Sequence, residues 1–146
     1  MTQMVRAILR RSWYRQLWKK STATVVVVDD DESMRRALKR QLRILGFNVV
    51  DFRSAEEFLT SELPIGDACM LLDVYMPEMN GIELCRHLAS AGLHLPTVLM
   101  TGREDEETKR LMREAKPMAT LFKPFDEVDL LRAIRKATSH RSKARP

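Results

Sequence analysis

The sequence has few cysteines, glycines and prolines, and it has no long apolar run. Its two cysteines, Cys69 and Cys85, lie in separate apolar segments without CxxC spacing, which argues against a disulfide framework or a zinc knuckle. Five Gly and six Pro exclude collagen-like and low-complexity chains. No apolar segment approaches the roughly 18–20 residues that span a bilayer. We therefore expect a globular, cytoplasmic protein without a transmembrane segment.

The chain is basic overall, but its charge is unevenly distributed. The net charge is +5, yet six Lys/Arg and no acid lie in residues 1–20, and three more bases lie in residues 140–146. Residues 21–139 hold 16 bases and 20 acids, so this part of the chain has a net charge of −4. The basic character belongs to the two ends, which argues against a DNA-binding domain in the middle of the chain.

Between residues 22 and 138, short apolar runs alternate five times with amphipathic segments. The predicted strands are Ala23–Val28, Phe47–Phe52, Ala68–Leu72, Thr97–Thr101 and Ala119–Phe122. The first predicted helix has Asp31 and Glu32 in its first turn and stops at Gly46. The others are a short helix after the capping pair Ser54 and Glu57, a helix from about Ile82 to Ser90, one over roughly Glu104–Ala115, and a last helix from a cap at Asp126 to about Ala137. This alternation predicts an α/β fold, a doubly wound five-stranded parallel sheet.

The two ends of the chain do not fit this alternation. Residues 1–21 form a basic extension that lacks the unbroken apolar stretch of a secretory signal. On a helix, one apolar face of this extension would contain Val5, Ile8, Leu9, Trp13 and Leu17. Three interpretations stay open: a solvated extension, a helix that docks on another chain, or a segment that contacts a membrane surface or nucleic acid. Residues 139–146 are predicted to be a basic tail.

Polar residues follow four of the five predicted strands. They are Asp29 and Asp30 after the first strand, Asp73 after the third, Thr101 at the end of the fourth and Lys123 after the fifth. The carboxyl ends of parallel strands meet at one edge of a sheet, so we expect these side chains to be neighbours. Three clustered carboxylates repel one another unless a cation lies between them, and oxygen ligands favour Mg²⁺, or Mn²⁺. The sequence therefore predicts a metal site.

Such a site suits phosphoryl transfer, which depends on positioning and charge neutralisation. Asp73 would be the nucleophile and would become an aspartyl phosphate, while Lys123 and Thr101 would bind phosphoryl oxygens. Each residue taken singly has a plainer interpretation, because Asp at a strand end is often a helix cap, Lys a surface charge and Thr a turn residue. The joint spacing is what favours the functional interpretation.

Four motifs in this order resemble those of the bacterial two-component response-regulator receiver domain. They are VVVVDDD (25–31), LLDVYMPEMNG (71–81), VLMTG (98–102) and FKPF (122–125), and the resemblance covers residues 23–138. Among receivers, the sequence is most similar to those of the nitrogen-fixation regulator type. The resemblance implies the flavodoxin-like (βα)5 fold, which chemotaxis-regulator-like receivers have.

The resemblance also implies roles for individual residues. Asp73 would be the phosphoacceptor, Asp29, Asp30, Asp73 and the backbone carbonyl of Tyr75 would hold Mg²⁺, and Thr101 and Lys123 would bind the phosphoryl group. The Lys123-Pro124 peptide would be cis. The donor would be a sensor histidine kinase or a histidine phosphotransfer protein. We expect a stand-alone receiver that is not a conventional enzyme, since its only reactions are its own phosphorylation and dephosphorylation. Its output would pass to a protein partner through the face formed by the fourth helix, the fifth strand and the fifth helix. A homodimer is also compatible with the resemblance.

The sequence departs from the family pattern at several positions. Thr120 stands where the family has a Tyr or Phe switch residue, and Ala115-Lys116-Pro117 replaces the usual Ala-Gly-Ala. Tyr75 and Arg103 lie two residues beyond Asp73 and Thr101, positions that in the family flank the path of hydrolytic water. We expect their bulk and charge to slow dephosphorylation.

An alternative hypothesis is a phosphorylation-independent adaptor on the same fold, in which Thr120 has decoupled the pocket from the surface. A nucleic-acid-binding protein that uses the basic ends is a third hypothesis. The remaining reactive side chains are interpreted as structural. His87, His94 and His140 lack metal-ligand spacing and are interpreted as surface or helix residues. Cys69 and Cys85 are interpreted as small buried apolar residues, and Met70, Met76 and Met79 as packing or loop residues.

Overall fold

A computed structural model of the chain describes residues 23–62 and 67–143. The predicted basic extension at residues 1–21 lies outside the described residues, so that prediction stays a prediction. Among the helices of these residues, none combines the length and the apolar composition of a membrane span.

Five strands and five helices alternate along the described chain. The strands are β1 (Thr24–Val28), β2 (Asn48–Phe52), β3 (Ala68–Asp73), β4 (Thr97–Thr101) and β5 (Ala119–Phe122). The helices are α1 (Glu32–Ile44), α2 (Ala55–Leu59), α3 (Gly81–Ser90), α4 (Glu106–Glu114) and α5 (Glu127–Lys143). All strand pairs are parallel, in the order β2-β1-β3-β4-β5. The predicted fold class is confirmed.

The sheet is covered by helices on both faces, which explains why its central strands are mostly apolar and buried. Alternate side chains of β1 enter different cores, because successive residues of a strand point to opposite faces. Val25 and Val27 belong to the core that includes residues of α1 and α5, whereas Val26 and Val28 belong to the core that includes residues of α2, α3 and α4. All four valines are fully buried. A run of β-branched residues is therefore what a central strand of a doubly wound sheet requires.

Side-chain caps set the starts of most helices. Ser54 accepts from the backbone N–H of Glu57 at 3.0 Å, which confirms the predicted cap of α2. Asp126 accepts from the N–H of Asp129 at 2.8 Å, as predicted for α5. Glu32 lies in the first turn of α1 as predicted, but the placement of Asp31 in that turn is wrong, because Asp31 is the N-cap. Each cap satisfies an N–H that has no partner within the helix.

Two further predicted helix boundaries are wrong. The fourth helix begins at Glu106 and not at Glu104, because Asp105 caps it by accepting from the N–H of Thr108 at 3.0 Å. The last helix does not end near Ala137 but continues to Lys143, so part of the predicted tail is helical. The apolar stripe that guided the prediction ends with the last buried residues, whereas a helix can continue beyond its packed face.

Candidate functional site

Three carboxylates meet at the carboxyl edge of the sheet. Strand order reverses at β1, so the ends of β1 and β3 flank a crevice of the kind that binds ligands in open α/β sheets. Asp29 follows β1 and is fully buried, Asp73 ends β3 and is 7% exposed, and Asp30 is exposed. One oxygen from each carboxylate lies within 4.8 Å of one from each of the others. The predicted carboxylate cluster therefore exists in the fold.

Lys123 supplies the positive charge of this site. Its Nζ donates to Oδ2 of Asp29 at 3.0 Å and lies 3.5 Å from Oδ1 of Asp73. Lys123 is 94 residues from Asp29 along the chain. Only the parallel pairing of β5 with β4, and of β4 with β3, brings the ammonium to this edge.

Burial and charge shift the pKa values of two groups in the cluster. Loss of hydration, together with the negative charge of Asp29, raises the pKa of Asp73 to about 6, although Lys123 acts in the opposite direction. Burial alone would lower the pKa of Lys123. The hydrogen bond to Asp29 and the charge of Asp73 outweigh this effect, so the pKa of Lys123 lies above its ordinary value. A second cation among the carboxylates would favour the ionised form of Asp73.

The residues present fit a hard divalent cation. All three side chains offer carboxylate oxygens, and these are the ligands that Mg²⁺ and Mn²⁺ prefer. The exposed carboxylate of Asp30 leaves one side of the cluster open to water, and Mg²⁺ usually keeps several waters.

Thr101 and Lys123 lie at the ends of adjacent strands. Met100 is the register partner of Asp73, so Thr101 lies one residue beyond the level of the acceptor. Thr101 is fully buried, and its Oγ1 accepts from the N–H of Arg103 at 3.1 Å. The backbone N–H of Lys123 donates to the carbonyl of Thr101 at 2.8 Å. The peptide bond between Lys123 and Pro124 is cis.

Gly81 is required by close packing beside Asp73. A Cβ at this position would collide with the backbone carbonyl of Asp73, and the N–H of Gly81 donates to the carbonyl of Val74 at 2.8 Å. The start of α3 therefore lies directly against the end of β3, which only a residue without a side chain permits.

Arg35 holds the β1–α1 loop in place. Its guanidinium donates to the backbone carbonyl of Asp29 at 2.9 Å and pairs with Asp51 of β2 at 3.3 Å. The N–H of Asp31 donates to Oδ1 of Asp29 at 2.9 Å, which orients that buried carboxylate. Arg35 was missed in the sequence, because nothing distinguishes a single basic residue of this kind on an amphipathic helix from a solvated one.

Comparison with known proteins identifies the family. The family model "Response regulator receiver domain" matches residues 25–135. The chain belongs to the response regulator receiver domain family. The receiver is 40% identical over 124 residues to Nodulation protein W of Bradyrhizobium diazoefficiens, covering 84% of this chain and 54% of that protein. It is 32% identical over 117 residues to the transcriptional regulatory protein FixJ of Rhizobium meliloti, which covers 80% of this chain and 57% of that protein.

A solved structure supports the same assignment. The crystal structure of FixJ-N matches with a TM-score of 0.76 and 32% identity, covering 82% of this chain and 96% of that one. The resemblance to nitrogen-fixation regulators is thereby confirmed. The receiver spans about half the length of the curated relatives named above.

In this receiver, Tyr75 joins the acceptor loop to α4. Its hydroxyl lies 2.5 Å from Oγ1 of Thr108, a fully buried residue, and the guanidinium carbon of Arg103 lies 4.0 Å from the centre of its ring. Hydrogen bonds from the side chain and backbone of Thr108 lower the pKa of Asp105. The backbone N–H of Thr108 donates to Oδ1 of Asp105 at 3.0 Å, so Thr108 contacts both Tyr75 of the acceptor loop and the cap of α4. Thr108 was missed in the sequence, where it resembles any polar residue in a first helical turn.

The two departures from the family pattern lie on the same side of the receiver. Thr120 is exposed on β5, in register with Leu99 of β4. Lys116 has a φ of 50°, a left-handed conformation that is rare for residues other than glycine. The turn before β5 is thus made with a lysine in a conformation that Gly adopts more easily.

The remaining candidates take structural positions. Met70, Met76 and Met79 pack in or against the core that lies on the α2, α3 and α4 face. Cys69 is fully buried, and burial raises the pKa of its thiol to about 12. Cys85 is only half-buried, so it is less enclosed than the sequence indicated.

Proposed function

We propose that Asp73 of this receiver accepts a phosphoryl group from the phosphohistidine of a sensor histidine kinase or histidine phosphotransfer protein. The supporting observation is the grouping of Asp73 with two further carboxylates and the Lys123 ammonium at one edge of the sheet. A phosphoryl group brings negative charge, so it needs cations beside the attacking carboxylate. Membership of the receiver family supports the same role.

The side chains have separate tasks in this reaction. A carboxylate oxygen of Asp73 forms the new P–O bond while the P–N bond to the donor imidazole breaks, and the released imidazole takes its proton from solvent. Lys123 leaves its contact with Asp73 and binds a phosphoryl oxygen. The hydroxyl of Thr101 binds another oxygen, and Asp29 retains the ammonium through its 3.0 Å hydrogen bond.

Asp29, Asp30, Asp73 and the backbone carbonyl of Tyr75 would hold Mg²⁺ or Mn²⁺. When bound, the ion neutralises charge on the carboxylates and the phosphoryl oxygens. The residues of the chain provide the rest of the pocket. The N–H of Asp31 orients Asp29, and the tight approach of Gly81 fixes the backbone of Asp73.

Intact-mass measurement tests the phosphoacceptor directly. The full chain is incubated with Mg²⁺ and acetyl phosphate at neutral pH. We expect the wild type to gain the mass of one phosphoryl group and Asp73→Asn to gain none. Asp126→Asn, which changes an exposed helix cap, is the matched control and should gain one group. Equal labelling of Asp73→Asn would disprove the assignment.

We propose that Tyr75 and Arg103 prolong the life of the acyl phosphate. Their side chains pack on each other beside the acceptor loop, where they restrict the approach of water. The double variant Tyr75→Asn, Arg103→Ala should lose its phosphoryl group several-fold faster than the wild type, as followed by intact mass after the donor is removed. An unchanged lifetime would contradict this role.

The output would pass to a protein partner through the face of α4, β5 and α5. Thr101 ends β4, next to this face, and its carbonyl already contacts the N–H of Lys123, so a movement of Thr101 towards the phosphoryl group would be transmitted to β5. We also propose a cytoplasmic location, where the kinase domains of such systems supply the donor.

A phosphorylation-independent adaptor is the alternative function. The exposed Thr120 supports it, because the aromatic residue that accompanies switching in the family is replaced. Absence of a mass gain in the wild type, with partner binding preserved in Asp73→Asn, would favour the adaptor.

A further inference from the structure

Arg35 of α1 is largely enclosed, unlike its neighbour in the sequence. Its side chain is 14% exposed, whereas that of Arg36 is 81% exposed and pairs with Glu32 of the same helix. Nη1 of Arg35 donates to the backbone carbonyl of Asp29 at 2.9 Å, and Nε donates to Oδ2 of Asp51 at 3.3 Å. An enclosed guanidinium loses hydration, so it needs partners such as these in place of water. The position of this side chain is therefore closely constrained.

Neutralisation of Asp51 does not account for this arrangement. Nζ of Lys39, one turn further along α1, lies 3.0 Å from Oδ1 of Asp51, which is closer than Nε of Arg35 lies to Oδ2. Asp51 therefore has a cation without Arg35. The shorter contact of Arg35 is the one to the Asp29 carbonyl, and Asp51 anchors the guanidinium beside it. This contact to the backbone of the site distinguishes Arg35 from Lys39.

The Asp29 carbonyl belongs to the peptide unit that leads into Asp30. The sheet holds the chain up to this point, since the N–H of Asp29 donates to the carbonyl of Phe52 at 3.1 Å. The next peptide unit leaves the sheet, and Arg35 holds its carbonyl. Because a peptide unit is planar, a fixed carbonyl also fixes the N–H and the Cα of Asp30.

The two carboxylates that follow β1 are held in different ways. Oδ2 of Asp29 accepts from Lys123 at 3.0 Å, and Oδ1 accepts from the N–H of Asp31 at 2.9 Å. The side chain of Asp30 is exposed and forms no hydrogen bond or ion pair with the residues that the structure describes. The place of the Asp30 carboxylate in the cluster therefore depends on its backbone, which Arg35 holds.

We infer that Arg35 is a positioning residue of the metal site. It holds the peptide unit before Asp30 so that this carboxylate shares a divalent cation with the rest of the cluster. The inference rests on the proposed function, because it concerns the cation that assists phosphorylation of Asp73. Groups that hold metal ligands without touching the metal typically contribute about 10–100-fold to affinity. The charge of the guanidinium acts in the opposite direction, since it repels a cation.

Mn²⁺ titration of the full chain, followed by electron paramagnetic resonance of the free ion, tests the inference without a phosphodonor. Arg35→Lys keeps the charge but loses the planar fork that contacts the Asp29 carbonyl and Asp51 together. We expect this variant to bind Mn²⁺ about tenfold more weakly than the wild type. Arg35→Gln should also bind more weakly, although it removes a repelling charge. Asp30→Asn should weaken binding too, which assigns the measured ion to the cluster.

Lys39→Gln is the matched control. It removes a cation from Asp51 without touching the Asp29 carbonyl, and its Kd should stay within about twofold of the wild type, because a more distant charge is screened. In EDTA, the ¹⁵N amide signals of Asp30 and Asp31 should shift in Arg35→Lys and not in Lys39→Gln. A variant that is less stable but still folded keeps its Kd, so these measurements separate positioning from stability. Circular dichroism checks that each variant is folded.

An unchanged Kd in Arg35→Lys, tighter binding in Arg35→Gln or equal weakening in Lys39→Gln would overturn the inference. So would a wild type that binds no Mn²⁺, or that binds it equally well after Asp30→Asn. The proposed function is judged separately by acetyl phosphate labelling of the wild type. Labelling together with an unchanged Kd in Arg35→Lys rejects only this inference. Weaker Mn²⁺ binding in Arg35→Lys without labelling of the wild type rejects only the phosphoacceptor assignment.

Discussion

At the scale of single residues, Asp73 combines two requirements that conflict in the metal-free protein. Its carboxylate must be accessible to a phosphodonor, yet it lies beside the buried charge of Asp29 at the end of a buried strand. The result is a pKa raised to about 6 by burial first and by Asp29 second. An ionised Asp73 is therefore a cost to folding that a bound cation removes.

Because of this cost, we expect Asp73→Asn to increase the free energy of unfolding by an amount that depends on pH. Because the folded state holds the proton between the ordinary pKa of 3.8 and about 6, stability falls as the pH rises through that window. Without metal at pH 7, Asp73→Asn should be more stable than the wild type by roughly 1–2 kcal/mol, allowing for screening by water. The difference should vanish below about pH 4. Urea unfolding in EDTA at several pH values measures it.

Asp31→Asn provides the control for this measurement. Asp31 caps α1 from an exposed position, and Asn accepts the same hydrogen bond about as well. Its stability should stay within about 0.5 kcal/mol of the wild type at pH 7. If Asp73→Asn stabilised the fold equally at pH 4 and pH 7, the raised pKa of Asp73 could not be the cause of the stabilisation.

At the scale of elements, α4 is tied to the acceptor loop by one short hydrogen-bonded chain. The hydroxyls of Tyr75 and Thr108 share a hydrogen bond, and the N–H of Thr108 donates to the Asp105 cap, so the loop after β3 is connected to the first turn of α4. α4 is short and much of its outer face is exposed, so these bonds contribute a large part of the order at its start. A helix of this kind can respond to events at Asp73.

Tyr75→Phe should therefore loosen the start of α4. Removal of one partly buried hydrogen bond costs about 1 kcal/mol, which corresponds to roughly fivefold faster amide exchange. We expect this acceleration at residues 106–109 in hydrogen-exchange measurements. Amides of α5 in the same sample are the internal reference and should not change. Uniform acceleration across both helices would instead indicate global destabilisation.

At the scale of the whole molecule, the carboxylate cluster links metal binding to the stability of the fold. Its members come from β1 and β3, so the ligand set exists only when these strands are paired. A cation that binds the folded state alone stabilises it by mass action. The expectation that this receiver acts alone stays a prediction, because it spans only about half the length of its curated relatives.

Addition of Mg²⁺ should accordingly raise the midpoint of thermal unfolding at pH 7. At a free concentration ten times the Kd the gain is about 1.4 kcal/mol, or several degrees for a domain of this size. EDTA should reverse the gain, and Asp30→Asn should reduce it without lowering metal-free stability, because Asp30 is exposed. NaCl of equal ionic strength is the control, and an equal rise with NaCl would argue against a specific site.

The local pattern of the sequence determined the elements and the candidate residues. Apolar runs, capping residues and polar strand ends are signals that span only a few residues. They were enough to predict the five strands and the caps at Ser54 and Asp126. They also identified the candidate set Asp29, Asp73, Thr101 and Lys123. Helix ends were harder to predict, because a helix such as α5 can continue after its last buried residue.

Only the tertiary structure decided which side chains meet. Lys123 reaches Asp29 across 94 residues, and Tyr75 reaches Thr108 across 33. Neither of these contacts has a local signal, since each depends on the strand order and on the depth to which neighbouring groups are buried. The same burial sets the electrostatics of Asp73, because the cost of an ionised carboxylate depends on the solvent that the rest of the fold removes.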